Sequence, residues 1–505
     1  MTAAGPAAPA LKPEAARHAL EAVDESLRAR DFAEAMRRMQ TLESMVPDDY
    51  GIRFAAAQLA LRIEEPRWAY NTLTHLASLT PPTWQAAVGV VDMLRTINQS
   101  AAARRLFAQL REQFPDEALL RAREGDLKVA VGETGAAREH YAAALAQDPS
   151  LTSVYLFFSR DPESDPAEWL ARIDGVDAEL TRVQLANLKV ARGRCCERLG
   201  DVDDAFKAFS EGRQLLADPR ASEQLSRQIA EAPAYAASFD PERLKDLRAA
   251  GDVSASPIFI AGMPRSGSTL LAQLLGAHPD VVNLGERGIL ATVLSAQLAA
   301  QPGDTLESLA QGSAASTMAR EYRRRAEELA AHQPGARRRI DKMPFNFSLI
   351  PVARVLFPRA TLLHTVRAPG DVAWSMFSAA FSLPALLLSL EDIGRLHALH
   401  DFLMAQWAER LGEQAPETVT YETLVAEPQK RLRALLAKAG LGWSDEISHF
   451  HRAGNEVLTS SDLQVRQPIH RNAVGRSKAY AAHLTPFFES RETTGRELEA
   501  LAAGN

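Results

Sequence analysis

The chain has 505 residues, 46% of them hydrophobic, with 57 basic and 64 acidic side chains and a formal charge of −7. That length exceeds one ordinary hydrophobic core and predicts roughly two to four domains, while the mild acidity gives no electrostatic reason to expect nucleic acid or an anionic membrane as partner. The two cysteines, Cys195 and Cys196, are sequence neighbours, which excludes a disulfide framework and points to a reducing compartment with idle, buried thiols.

Residues 1–14 are rich in Ala and Pro and lack a basic stretch followed by an apolar core, so they read as a disordered N-terminus and not as a signal peptide. No apolar run reaches membrane-spanning length. The expectation is a soluble cytoplasmic protein.

A fixed period then dominates the first half. Pro47, Pro81, Pro115 and Pro149 are spaced 34 residues apart, and Ala35, Ala69, Ala103, Ala137, Ala171 and Ala205 keep the same step. Within the unit Glu124 to Pro149, two amphipathic helices meet at a Gly turn. Gly125 and Ala137 allow close backbone approach, Tyr141 fills the gap and Pro149 stops the second helix. The stretch Leu199-Gly-Asp-Val-Asp-Asp-Ala205-Phe-Lys-Ala-Phe209 repeats this pattern, whereas Ser159 to Pro166 reads as a loop that makes the intervening unit irregular. The pattern resembles the tetratricopeptide repeat, which implies an all-α superhelix whose concave face holds a peptide or protein partner, or a structural arm. It covers Ala15 to Leu216. Linker helices to about Ala250 complete a first domain at 15–250, followed by a second at 251–505.

The second half reads differently. Ser256-Pro-Ile-Phe-Ile-Ala-Gly262 is a short apolar run ending in Gly, and Ser268 to Gly276 has a helix start and a Gly stop, giving strand, loop, helix. Val281–Leu284, Arg338–Asp341, Ala360–Arg367 and Thr418–Tyr421 also read as strands separated by helices, which predicts an α/β domain with a parallel sheet covered on both faces. Ligands of such sheets sit beyond the carboxyl ends of the strands.

The loop Gly262-Met-Pro-Arg-Ser-Gly-Ser-Thr269 has the spacing of a phosphate-cradling P-loop, but Ser268 stands where that pattern needs lysine. Backbone amides from Ser266 to Thr269 at a helix start, with Arg265, suit an anion smaller than a triphosphate. Polar residues end the other strands: Glu286, Lys342, and Arg367 followed by Ser375 on the next helix. One sheet end is expected to gather them.

Pro264-Arg-Ser-Gly-Ser-Thr-Leu-Leu271 resembles the 5′-phosphosulfate loop of the sulfotransferase superfamily, and Val366-Arg367 with Ser375 its 3′-phosphate site. Ala277-His-Pro-Asp-Val, Asp341-Lys-Met-Pro-Phe345, Tyr421-Glu-Thr-Leu-Val425 and Gln464-Val-Arg-Gln-Pro468 resemble the tyrosylprotein branch and its repeat-containing bacterial relatives, in family order from Pro257 to Leu484. The resemblance implies a P-loop-like sulfotransferase domain using 3′-phosphoadenosine 5′-phosphosulfate (PAPS) and releasing adenosine 3′,5′-bisphosphate. It places Arg265, Ser266, Gly267, Ser268 and Thr269 at the 5′-phosphosulfate, Arg367 and Ser375 at the 3′-phosphate, and Tyr421, Ser461 and Arg476 over the nucleotide. Arg476 stands where that branch has lysine, Ser477 where an aromatic follows, and Ala379 where the tyrosylprotein enzymes have arginine.

In the chemistry so implied, Arg265 and Lys342 stabilise charge on the leaving phosphate without a metal, and Glu286 takes the proton of an acceptor hydroxyl or phenol, protein tyrosine included. A capping Glu286 paired with Arg287 is the alternative. His278 is the rival base, although in Ala-His-Pro it reads as a turn residue. No His/Cys/Asp cluster with ligand spacing stands out, so no metal is expected. The triplets Arg323-Arg-Arg325 and Arg337-Arg-Arg339 read as solvated faces open to an acidic acceptor, and Trp374, Phe377 and Phe381 as core. A P-loop kinase or NTPase, and a repeat scaffold with a nucleotide-sensing domain, stay open as alternatives; the acceptor and the oligomeric state are not fixed.

Overall fold

The computed structural model describes residues 13–29, 31–300, 309, 313–379, 386–452 and 469–504. Ser461, the segment 464–468, Phe381 and most of the stretch read as a disordered N-terminus lie outside the described residues.

From Pro13–Arg28 to Val202–Leu216 the chain forms twelve helices, paired as antiparallel neighbours, and two linker helices follow at Pro219–Ala237 and Pro241–Arg248. The 34-residue step has a direct packing cause. Ala35, Ala69, Ala103, Ala137 and Ala205 are fully buried, each where two helices cross. Ala171 is exposed, because Thr152–Arg160 and Pro166–Asp174 are only nine residues each and the turn between them breaks the phase. A Cβ on Gly125 would lie 2.6 Å from Tyr141, and one on Gly193 3.0 Å from Phe209, so an aromatic ring fills the space that each glycine leaves. Tyr141 Oη also donates to Asp126 at 2.7 Å, satisfying the hydroxyl that this packing brings inward.

The second half is built on five parallel strands: β1 Ile258–Gly262, β2 Val281–Asn283, β3 Arg338–Lys342, β4 Thr361–Val366 and β5 Glu417–Thr420. They lie in the order β2-β3-β1-β4-β5, with Ile260 opposite Lys342 on one side and Leu363 on the other. Ile258 and Ile260 face the helices Ser268–Gly276 and Pro428–Lys438, while Phe259 and Ala261 face the helices Ala314–Leu329 and Leu390–Leu411. Both faces are therefore apolar, as expected of a parallel sheet covered on each side. Since every strand runs the same way, the residues after Gly262, Asn283, Lys342, Val366 and Thr420 emerge at one edge.

The two halves share one interior. Leu73, Phe209 and Phe239 belong to the same buried cluster as Phe259, Trp374 and Trp407. Arg213 on helix Val202–Leu216 is buried and donates to the carbonyls of Phe377 at 2.6 Å and Leu388 at 2.9 Å, and also to that of Met376. Arg325 is likewise buried, bound to Glu65 at 2.7 Å and to the Ile63 carbonyl at 2.9 Å; Arg324 pairs with Glu65 as well. Arg324 and Arg325 of the first triplet are thus part of a seam between the halves, a correction to their reading as a solvated face, while Arg323 stays partly exposed and pairs with Asp252 at 2.7 Å. Glu65 belongs to a turn of the repeat that sequence alone could not bring near residue 325. Arg338 of the second triplet is half-buried and donates to the Ala439 carbonyl at 2.9 Å. No helix among the described residues is long and apolar enough to cross a membrane.

Candidate functional site

The loop after β1 turns sharply. Gly262 has φ 147°, Arg265 φ 69° and Gly267 φ 101°. For Arg265, a residue with a Cβ, the left-handed region costs on the order of 1 kcal/mol and persists only where neighbours fix it. They do: Arg265 Nε donates to Ser375 Oγ at 3.0 Å and the Arg265 carbonyl accepts from Arg367 Nη1 at 3.3 Å. The Ser266 hydroxyl is buried and turned inward, bonded to the Met263 carbonyl at 2.6 Å and to Thr365 Oγ1 at 2.7 Å, so it braces the loop against β4. Gly267 caps the helix Ser268–Gly276 without a side chain, leaving the amides of its first turn to point out of the loop beside Thr269.

The cation that Ser268 does not provide arrives from the neighbouring strand. Lys342, at the end of β3, is buried and places Nζ 3.3 Å from Thr269 Oγ1 while donating to Glu286 Oε1. Desolvation lowers the lysine pKa, and Glu286 acts against that shift. Glu286 follows β2 through Gly285, whose carbonyl accepts from Lys342 N at 3.3 Å. Its neighbour Arg287 points the other way, to Glu64 Oε2 at 2.9 Å and the Thr96 carbonyl at 3.0 Å in the repeat. The structure thus pairs Glu286 with Lys342 and gives Arg287 a separate partner. His278 lies beyond the far end of helix Ser268–Gly276, where Nδ1 accepts from Asp280 N at 3.0 Å, in the role of a turn residue.

On the other side of the loop, Arg367 directly follows β4. Its guanidinium lies 4.8 Å from the centre of the Tyr421 ring, 3.6 Å from Asp371 Oδ2, and donates to the Ala473 carbonyl; its buried Nε has no partner among the described residues. Tyr421 opens the segment after β5 and packs on Gly267. Asp371 accepts from Gly475 N at 2.7 Å and Ser477 N at 2.9 Å, which brings Arg476 to the same edge. Burial, together with the charges of Arg367, Arg160 and Arg476, pushes the Arg265 pKa down to about 10. Several cations crowded at a desolvated loop beside open helix amides make a site that favours an anion.

Arg265, Gly267, Ser268, Thr269, Glu286, Lys342, Arg367, Ser375, Tyr421 and Arg476 therefore meet at one sheet edge, with Ser266 beneath them. Sequence reasoning missed Arg160 and the pair Glu64 and Glu197, all from the repeat. It also missed a buried group at the base of β4: His397 Nδ1 and His400 Nδ1 each lie 3.0 Å from Asp401, and His400 Nε2 faces His364 Nε2 at 2.9 Å. The spacing His-x-x-His-Asp on a helix was the available signal. The carboxylate there is held by Arg491 at 2.6 Å, a cation where a metal would need a free ligand. Trp374 and Phe377 are core, as expected.

Residues 257–445 match the model of the Sulfotransferase family. An uncharacterized protein of Aquifex aeolicus is 26% identical over 423 residues, 80% of this chain and 54% of its own length. Protein-tyrosine sulfotransferase 2 of Gallus gallus is 26% identical over 231 residues, 43% of this chain and 62% of its own. The chain thus spans about half to three-fifths of the length of these curated relatives. A solved structure, the sulfotransferase domain from the Synechococcus PCC 7002 olefin synthase, is 20% identical, with a TM-score of 0.33 over 47% of this chain and 95% of that one. The family match lies on the strands and loops that carry the site, so the part of this chain behind its tetratricopeptide-like helical array is similar to the sulfotransferase family over residues 257–445.

Proposed function

We propose that this protein is a sulfotransferase that moves the sulfuryl group of PAPS in line to a hydroxyl or phenol. The observation that carries the reading is the convergence of Lys342 on Thr269 and of Arg265 on Ser375 around one helix-starting loop. The orphaned Nε of Arg367 and the nearness of Arg367, Arg160 and Arg476 to the buried Arg265 fit an anionic nucleotide with phosphates at both ends. When bound, the donor would supply the sulfuryl group and the leaving 5′-phosphate.

In this reading the amides of Ser268 and Thr269, with Arg265 and Lys342, hold the 5′-phosphosulfate and meet the charge that grows on the leaving oxygen. Gly267 lets Tyr421 close over the loop, and Arg367, Ser375 and Arg476 hold the 3′-phosphate. Glu286 takes the acceptor proton at Oε2, the oxygen not engaged by Lys342. The relative named for protein-tyrosine transfer supports a tyrosine phenol on a protein or peptide as acceptor. No metal is needed in this scheme, because the cations are supplied by the chain. A protein partner on the remaining surface of the array, and a cytoplasmic location, belong to the same proposal.

The test is binding followed by transfer. Adenosine 3′,5′-bisphosphate at about a hundred times its Kd is expected to stabilise the fold by about 2.7 kcal/mol, while ATP with Mg²⁺ does not. Sulfur-labelled PAPS with fractionated lysate is expected to label an acceptor with the native chain and not with Arg265→Ala or Glu286→Gln. Stabilisation by ATP with Mg²⁺ alone would instead favour the kinase reading.

A further inference from the structure

Glu197 lies on the helix Arg182–Leu199 of the repeat array, far in sequence from every residue of the loop, yet both its oxygens are engaged by the second half. Oε1 accepts from the indole Nε1 of Trp374 at 2.8 Å, and Oε2 from Arg476 Nη2 at 2.5 Å. Trp374 precedes Ser375 on the helix Pro369–Phe377 and stacks at 3.5 Å on Tyr480, which closes the short turn Arg476–Tyr480. Asp371, on that same helix, holds the backbone of the turn through Gly475 and Ser477. Arg476 is thus fixed at both ends, its main chain by Asp371 and its guanidinium by Glu197.

A long arginine side chain at a half-exposed position would otherwise lose rotamer freedom on meeting a ligand. A carboxylate that grips one Nη leaves the other nitrogens of the planar fork in a set direction. Trp374 gives the carboxylate its own fixed orientation, since an indole donates a single hydrogen bond and this indole is buried. We propose that Glu197 is a positioning residue of the donor site, supplied by the repeat array, that pre-orders Arg476 for the 3′-phosphate of the nucleotide. The inference rests on the donor reading above. It makes the array a part of the nucleotide site, and not only a scaffold for partners.

The test compares adenosine 3′,5′-bisphosphate with AMP, which lacks the 3′-phosphate, by calorimetry on the full chain and on Glu197→Ala, Arg476→Ala and the double variant. Loss of the pair in Glu197→Ala is expected to weaken the bisphosphate about tenfold, with AMP unchanged and with no further loss when Arg476 is already gone. Glu197→Gln keeps the side-chain volume and offers one acceptor to two donors, so it should fold like the native chain and show the same selective loss. Equal weakening of AMP and the bisphosphate, an additive double variant, or a bisphosphate affinity within about twofold of native in both Glu197 variants would overturn the inference. A native chain that binds no bisphosphate overturns the donor reading first, a distinct result.

Discussion

Lys342 donates to Glu286 while its Nζ also reaches Thr269 Oγ1 at 3.3 Å, so one buried ammonium ties the proposed proton acceptor to the donor loop. Glu286 is partly exposed and can rehydrate, whereas Lys342 is not. The two should therefore respond differently to substitution. Lys342→Met keeps the apolar stem and removes the charge. Transfer from labelled PAPS is expected to fall about 10²- to 10³-fold, and bisphosphate affinity to weaken by a smaller factor of about tenfold, because its 5′-phosphate loses the same cation. Because desolvation depresses the lysine, its charged form is lost as pH rises through a value below the ordinary 10.5, and the rate should decline on that limb. A pH–rate profile that stays level past 10.5 would remove Lys342 from the chemistry.

Gly267 tests the loop itself. Its φ of 101° is strained for any L side chain, and a Cβ there would lie 2.6 Å from Tyr421 Cδ2. Gly267→Ala is expected to destabilise by about 1–3 kcal/mol and to abolish stabilisation by the bisphosphate in a thermal melt. Gly135, in the first turn of helix Thr134–Gln147, has no atom near its added Cβ and an ordinary φ. Gly135→Ala should leave the melt unchanged or raise it slightly, since Ala gains helix propensity over Gly. If both variants behaved alike, the loop geometry would carry no special cost.

What the sequence could reveal follows from the range of each interaction. Strand, loop and helix at 258–276 were legible because an apolar run, a Gly and a helix start are local signals. The 34-residue step was legible because each buried alanine repeats one local packing problem. Parallel strands then forced Lys342, Arg367 and Tyr421 to one edge. The pairs Glu64 with Arg287, Glu65 with Arg325 and Glu197 with Arg476 had no such signal, since each depends on how a superhelix settles against a sheet more than a hundred residues away. The exposed face expected at 323–325 failed at Arg324 and Arg325 for the same reason: a charge run carries no mark of what will cover it.

The seam can be opened at one residue. Arg213 is buried, its pKa is pushed down to about 9 by desolvation, and it donates to the Met376 and Phe377 carbonyls at the end of the helix that carries Ser375 and to the Leu388 carbonyl beyond it. Arg213→Ala leaves those carbonyls unsatisfied in the interior. A loss of about 2–4 kcal/mol in urea unfolding is expected, with reduced bisphosphate affinity because helix Pro369–Phe377 loses its anchor. A variant as stable as the native chain would mean that water reaches the seam and replaces the guanidinium.

The buried histidines set the acid side of stability. His364 on β4 meets His400 at 2.9 Å, and the groups around the pair are His397, Asp401 and Arg491, with Phe347 edge-on to His400. Burial is the first cause that holds His364 neutral, pulling its pKa down to about 3, and His400 is lowered too. In the unfolded chain both imidazoles take up protons near the ordinary 6.5. As pH falls from about 6.5 toward 3, the unfolded state gains protons that the native state refuses, so each such histidine removes up to about 1.4 kcal/mol of stability per pH unit. Asp341 works in the opposite sense. It is buried against Tyr322 and Asn346 and raised to about 7, so it binds a proton in the native state first and gains stability over the same window. His364→Gln keeps a hydrogen-bonding partner for His400 and leaves Asp341 untouched, so the difference between the two proteins isolates the histidine. Urea unfolding between pH 7.5 and about 4.5 should show the variant losing less stability than the native chain on acidification. Parallel pH curves would show that the pair is already solvated, or already charged, in the native state.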